Sequence, residues 1–401
     1  MRLPFRMAAV ALVLSAPLFA CSSSHPASGY TEAVPSGDNG NGGTAGGGTG
    51  GPSASPPMEG PGDPSAPAPV SGGSASSGSG SSSLPPGGDG GTPLSGILTA
   101  GVWDDSLNFD FFSAYLTKRQ GIDGDPGFTS SDYAAAHAAA QQRSAHATVD
   151  VALVIDTTGS MGDEIQYLTA EFAAISGAVA TAYPNSAQRW ALVTYRDTPD
   201  TDPGDDYVVQ SVDFTSDMTT FASTVGIQSA RNGGDYPESP ELGLQQMGQL
   251  TWRTDPSVAK LAFWVGDAPH HAERAAGMKQ AIVQTQQSGI HLYPVSASGT
   301  DDLLELTMRS AAELTGGRYL FLTNDSGVGD PHKVPEIPCY YVTRLEHALV
   351  RVIGMELSGN YLGPDTADVI RAAGSPDANG TCVVPTGDED AGTDAGTVQI
   401  F

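Results

Sequence analysis

Cationic residues are scarce in this chain: 18 Lys and Arg stand against 45 Asp and Glu, a formal charge of −27 over 401 residues. Such a balance leaves no electrostatic footprint for nucleic acid or for an anionic lipid surface. Cysteine is scarcer still, with only Cys21, Cys339 and Cys382. Two thiols beyond Cys21 do not make a zinc site, although an oxidising compartment permits Cys339 and Cys382 to pair and tie the tail to the body. After the first twenty residues no uninterrupted apolar run reaches the length that spans a bilayer. Nucleotide-binding signatures are missing as well. There is no Gly-x-x-x-x-Gly-Lys-Ser/Thr loop, no strand followed by Gly-x-Gly-x-x-Gly, and no Gly-x-Ser-x-Gly elbow that would make Ser160 a nucleophile with His270 or His271 as base.

What is present begins with "MRLPFRMAAVALVLSAPLFACSSS". Arg2 and Arg6 form a basic start, residues 7–16 are apolar, and small residues follow, which is the layout of a secretory leader over residues 1–20. Leu18-Phe19-Ala20-Cys21 resembles a bacterial lipobox. That resemblance implies a lipidated Cys21 as the mature N-terminus, and Ser22 after it points to the outer membrane. A bacterial cell-envelope lipoprotein held to the membrane by its lipid alone is therefore expected, with plain secretion as the other reading. Residues 21–95 form a spacer of Ser, Gly, Pro and Ala in which residues 22–95 hold no Lys or Arg. This composition cannot bury enough apolar area to offset chain entropy, so a disordered tether is expected. Its root-mean-square span would be roughly 50 Å.

Order is expected from residue 96. Residues 96–147 read as an extension packed on the main domain, with Trp103 at its edge, Asp104 and Asp105 as a polar turn, and an Ala-rich helix over 133–142. The loop "GIDGDPGFTSSD" lacks the ligand spacing of an EF-hand. Over residues 148–358 short apolar runs alternate with amphipathic stretches. Strands are expected at Val149–Asp156, Trp190–Arg196, Val208–Phe214, Leu261–Asp267, Ile290–Val295 and Arg318–Leu322. In the first helix Ile165, Leu168, Phe172, Ile175 and Val179 share one face. Further helices are expected at 239–250, 272–288, 301–314 and 338–357, and Trp190, Trp252 and Trp264 read as core. The pattern predicts an α/β fold: an open, largely parallel sheet with helices on both faces. Residues 359–401 read as a polar tail.

In such sheets ligands sit where strand ends lead into helices. "VALVIDTTGSMGDEI" ends an apolar strand on Asp156 and then places Thr158 and Ser160 at alternate positions. Three oxygens converging on one point suit a hard divalent cation. "FWVGDAPHH" ends a second strand on Asp267, and "NGGDYPESPELGL" lies between the two.

With these loops the sequence resembles the von Willebrand factor A (vWA) domain, a Rossmann-like fold, over roughly residues 148–357. Asp156-Thr157-Thr158-Gly159-Ser160 is similar to the Asp-x-Ser-x-Ser loop of that family's metal-ion-dependent adhesion site, known as MIDAS. The resemblance implies that Thr158 and Ser160 bind metal directly, that Asp156 acts through water, and that Asp267 belongs to the third metal loop. Many relatives carry a metal-binding Thr after the paired glycines; here Asp235 and Glu238 are available in its place. The implied cofactor is Mg²⁺, or Mn²⁺ or Ca²⁺. The implied partner is a protein whose acidic side chain completes the coordination, in an adhesion-type lipoprotein without catalysis.

Two other functions fit some of the same residues. One is a structural scaffold subunit of an envelope complex, in which metal only stabilises the loops. The other is a haloacid-dehalogenase-like phosphatase with Asp156 as nucleophile. The second requires a carboxylate two residues later as general acid, where this chain has Thr158. His270 and His271 read as solvated loop residues, with the rim of the metal face as the other reading.

Overall fold

The computed structural model describes residues 97–198, 206–234 and 236–382. The leader, Cys21, the spacer, Asp235 and the tail from residue 383 lie outside the described residues.

Among the described residues nine strands form one sheet. In chain order they are β1 (Thr99–Trp103), β2 (Thr148–Asp156), β3 (Gln188–Tyr195), β4 (Val209–Thr215), β5 (Val258–Gly266), β6 (His291–Ser296), β7 (Tyr319–Leu322), β8 (Tyr340–Arg344) and β9 (Arg371–Ala373). Their spatial order is β4-β3-β2-β5-β6-β7-β1-β8-β9. The five strands from β3 to β7 in this order run parallel, and antiparallel strands extend the sheet at both sides.

Among the described residues eight helices cover the sheet: α1 (Phe109–Lys118), α2 (Ser130–Ala140), α3 (Ile165–Ala182), α4 (Met218–Gly226), α5 (Pro240–Gly248), α6 (Ala275–Gln287), α7 (Asp302–Thr315) and α8 (Leu345–Ser358). Side chains of α1, α2, α5, α6 and α7 build the core on one face, and those of α3, α4 and α8 build the other. Strand β2 shows why its sequence reads as one apolar run. Ala152 and Val154 point into the first core, while Val149, Val151, Leu153 and Ile155 point into the second; Asp150 is buried in the strand only because Arg189 and Arg253 pair with it. The stripe Ile165, Leu168, Phe172, Ile175 and Val179 is buried along α3 as its 3.6-residue period requires.

Several expectations are corrected. The extension contributes β1 to the middle of the sheet, between β7 and β8. The stretch expected as one helix over 338–357 divides into β8 and α8. Tyr340-Tyr341-Val342-Thr343 is aromatic and β-branched, and an open place beside β1 lets that preference prevail. The expected tail supplies β9, paired with β8.

Asp104 and Asp105 are not a solvated turn. Both are buried, Asp104 at 2.7 Å from Arg318 and Asp105 at 2.6 Å from Arg309, and Trp103 Nε1 donates to Asp105 at 2.7 Å. Arg309 lies mid-helix on the otherwise packed α7, so the extension neutralises a cation the rest of the domain buries. Trp103 and Trp264 lie in the first core and Trp190 in the second, while Trp252 is partly buried against the first. Cys339 and Cys382 form a disulfide with Cα atoms 5.7 Å apart. Among the described residues no helix is long and apolar enough to cross a membrane.

Candidate metal centre

Strand β2 stops at Asp156 because the chain there turns back on its own side chain. Asp156 Oδ1 accepts from the Thr158 amide at 2.9 Å and from Thr158 Oγ1 at 2.7 Å. A 3-10 turn over Gly159–Asp163 follows and leads into α3. Thr158 Oγ1 and Ser160 Oγ lie 3.2 Å apart. Asp156 and Thr158 are buried and Ser160 is exposed, so the three oxygens run from the strand end outward to solvent.

The glycine loop lies directly on this turn. Gly159 donates to the Asn232 carbonyl at 2.6 Å, and the Arg231 amide donates to the Thr157 carbonyl at 3.1 Å. Asn232, Gly233 and Gly234 all have positive φ, at 60°, 106° and 58°. A Cβ on Gly233 would stand 2.7 Å from Thr158 Cβ and 2.8 Å from Glu238 Oε1, which explains why the loop carries glycine there. The same contact shows that Glu238 reaches the Thr158 turn. Its amide donates to the Pro269 carbonyl at 2.9 Å, and it forms a parallel bridge with His270. Glu238 is thereby held against the loop that carries Asp267, the residue after β5. Of the six residues proposed from sequence for this site, the structure brings together Asp156, Thr158, Ser160, Glu238 and Asp267.

Asp156 Oδ2, Glu238 Oε2 and Asp267 Oδ1 are buried and lack a hydrogen-bond partner. The hydroxyls of Tyr195, Thr158 and Ser160 lie close enough to favour charge on the three carboxylates in turn. Burial nonetheless prevails and raises all three carboxyls. It lifts Asp156 to about 6, and burial with the neighbouring Asp156 charge lifts Asp267 to about 8. Burial and the charges of Asp156 and Asp197 push Glu238 higher still. Anions gathered in this way repel one another until a proton or a cation intervenes.

The donor set is all oxygen, two hydroxyls beside carboxylates, which matches a hard divalent cation. Among the described residues no group of three or more His, Cys, Asp or Glu side chains would hold an ion unaided.

The surrounding shell holds residues that sequence reading passed over. Asp197, two residues beyond β3, is fully buried and accepts from Ser239 Oγ at 2.8 Å and from His271 Nε2 at 2.9 Å. Glu164, also fully buried, accepts from the Ser298 amide at 3.1 Å and lies 2.6 Å from His332 Nε2. The only hint of Asp197 in the sequence is a third carboxylate just past a strand end. His270 and His271 are not solvated: both are buried, and His270 Nε2 meets the Gly124 carbonyl at 2.8 Å. Burial lowers the His270 imidazole below its ordinary value.

No curated protein matches the chain in sequence. Among solved structures it is similar to the conserved hypothetical protein BatB from Bacteroides thetaiotaomicron, at 11% identity and TM-score 0.36, covering 52% of this chain and 98% of that one. It is similar also to an aerotolerance-related membrane protein from Bacteroides fragilis, at 13% identity and TM-score 0.32, covering 45% and 94%. A third similar structure is the pilus adhesin SpaC from Lactobacillus rhamnosus GG, at 13% identity and TM-score 0.32, where the match spans 43% of this chain and 28% of that one. Residues 150–317, from within β2 to just past α7, match the family model of the von Willebrand factor A domain.

Proposed function

We propose that this vWA domain is a metal-dependent protein-binding module of a bacterial cell-envelope lipoprotein, tethered through lipidated Cys21 and without catalytic activity. Thr158 and Ser160 would hold Mg²⁺, or Mn²⁺ or Ca²⁺, with Asp156, Asp267 and Glu238 in support. When bound, the cation supplies neutralising charge and a position that an acidic side chain of a protein partner can fill. The observation behind this reading is the convergence of three buried carboxylates, each with an unpartnered oxygen, on two hydroxyls at one strand-end face. In apolar surroundings such oxygens are costly to leave unmatched.

The test is thermal unfolding of the full chain with Mg²⁺, Mn²⁺ or Ca²⁺ and with EDTA. A cation at 100 times its dissociation constant adds about 2.7 kcal/mol. For a domain of this size that is roughly 5–10 °C. Asp156→Ala and Thr158→Ala should abolish the shift. Equal unfolding temperatures in metal and EDTA for the wild type would overturn the proposal.

One observation favours the scaffold reading, in which the metal serves the loops alone: Glu238 adds a carboxylate and so leaves the ion less positive charge for an acidic partner. Partner binding that survives both chelator and Asp156→Ala would decide for the scaffold. Turnover of an aryl phosphate that Asp156→Ala abolishes would instead establish a phosphatase.

A further inference from the structure

We propose that Asp197, His271 and Ser239 form a positioning clamp for Glu238, so that the cation affinity of the site is set in part by three residues that do not touch the ion. This rests on the metal-binding reading above and names how its least expected ligand is held.

Three separate loops meet in the clamp. Asp197 comes from the end of β3, Ser239 from the residue before α5, and His271 from the loop after β5. All three side chains are buried, Asp197 and Ser239 fully and His271 to 5% exposure. One carboxylate oxygen, Asp197 Oδ1, accepts from both Ser239 Oγ at 2.8 Å and His271 Nε2 at 2.9 Å. The bond places a proton on His271 Nε2, while Nδ1 faces Glu273 at 3.8 Å. Hydrogen bonds to an ionised acceptor are shorter and stronger than neutral ones, so the junction resists displacement.

Glu238 lies within this frame. Its own amide is fixed to the Pro269 carbonyl at 2.9 Å, and its neighbour Ser239 is fixed to Asp197. Pro240 follows at the first turn of α5, where its ring constrains the backbone. Arg274 adds an outer tie. Its Nη2 donates to Thr198 Oγ1 at 2.9 Å, and its Nη1 lies 3.3 Å from Glu241 on α5. The backbone of Glu238 is thus held from both sides, while its Oε2 is left without a hydrogen bond.

That combination of a fixed main chain and one uncommitted carboxylate oxygen is what a pre-organised ligand needs. A glutamate has more rotamer freedom than a threonine, so it gains more from such fixing. The clamp also ties the Glu238 segment to the loop that carries Asp267, through Ser239, Asp197 and His271.

The test is calorimetric titration of Mg²⁺ alone into the full chain. The variants are Ser239→Ala, His271→Ala, His271→Gln, Glu238→Gln and the double variant Ser239→Ala/Glu238→Gln. Loss of an outer-shell partner typically weakens metal binding by about 10–100-fold. Ser239→Ala and His271→Ala should therefore raise the Mg²⁺ dissociation constant about tenfold or more, each titrated at a temperature where its EDTA-treated melt shows the chain still folded. His271→Gln, which keeps a donor near Nε2, should recover most of the affinity. In the Glu238→Gln background, Ser239→Ala should add almost nothing, because the clamp then has no ligand to hold.

Additive losses in the double variant would overturn the clamp while leaving the metal site intact. So would an unchanged dissociation constant in Ser239→Ala. Absence of Mg²⁺ binding in the wild type would instead remove the metal-binding reading itself, and the clamp with it.

Discussion

Gly233 and Thr158 meet so closely that a single added carbon at Gly233 would lie 2.7 Å from Thr158 Cβ. This contact sets the glycine loop down on the strand-end turn and brings Glu238 beside the hydroxyl of Thr158. Gly233→Ala must both enter a left-handed conformation, φ 106°, and push the two loops apart. Such strain costs about 1–3 kcal/mol. The expected outcome is a lower unfolding temperature in EDTA together with a weakened Mg²⁺-dependent shift. A variant that matches wild type in both would show that the loops need not touch.

The metal-free protein should lose stability as pH rises. Asp156 and Asp267 have folded-state carboxyls raised from 3.8 to about 6 and about 8, so the folded chain binds more protons than the unfolded one across that interval. The proton excess stabilises the fold at low pH and disappears as pH climbs through the folded-state values. Unfolding in EDTA should therefore show this contribution falling between about pH 4 and about pH 8, with saturating Mg²⁺ removing the decline. The measurement is a series of melts across the interval with Asp156→Asn alongside; an identical pH profile in wild type and variant would count against the clustered charges.

Arg309 is enclosed by Asp105 at 2.6 Å and Glu305 at 3.4 Å, with the Tyr115 ring 3.8 Å from its guanidinium carbon. Arg309→Met leaves buried Asp105 without its cation, a change that costs about 3–5 kcal/mol, while Glu305 keeps Lys333 at 3.0 Å. The double variant Asp105→Asn/Arg309→Met should lose less, because it removes the orphaned charge. Denaturant unfolding of the three proteins measures the difference.

The Cys339–Cys382 bridge closes a loop with a sequence separation of 43. A bridge of that span contributes about 4 kcal/mol in the chain-entropy account. Cys382→Ser should lower the unfolding temperature and make it insensitive to reductant, whereas the wild type should drop on reduction. Loss of β9 pairing would appear first, as faster amide exchange at Tyr340 and Val342.

How far the sequence announced these features depends on their range. The turn of Asp156, Thr158 and Ser160 was legible because its bonds join residues two apart. Asp267 was legible because an apolar strand ends on it. Asp197 was not, since its partners Ser239 and His271 lie 42 and 74 residues away. His271 looked like a loop histidine for the same reason: burial is a property of the three loops meeting, not of the segment "DAPHH". Asp104 and Asp105 resembled a turn until Arg309 and Arg318 were seen to face them.

The sequence by itself determined the alternation of strands and helices, the buried stripe of α3 and the strand-end position of the first carboxylate. All of these follow from local burial period and short hydrogen bonds. Tertiary structure alone decided that β1 enters the sheet between β7 and β8, where Thr99 Oγ1 meets Thr323 Oγ1 at 2.8 Å across a separation of 224 residues. It also set Glu238, one of the two carboxylates the sequence offered, against the Thr158 turn. Backbone pairing and the closing of distant loops depend on which surfaces remain open after the core has packed, and no short stretch of the chain encodes that.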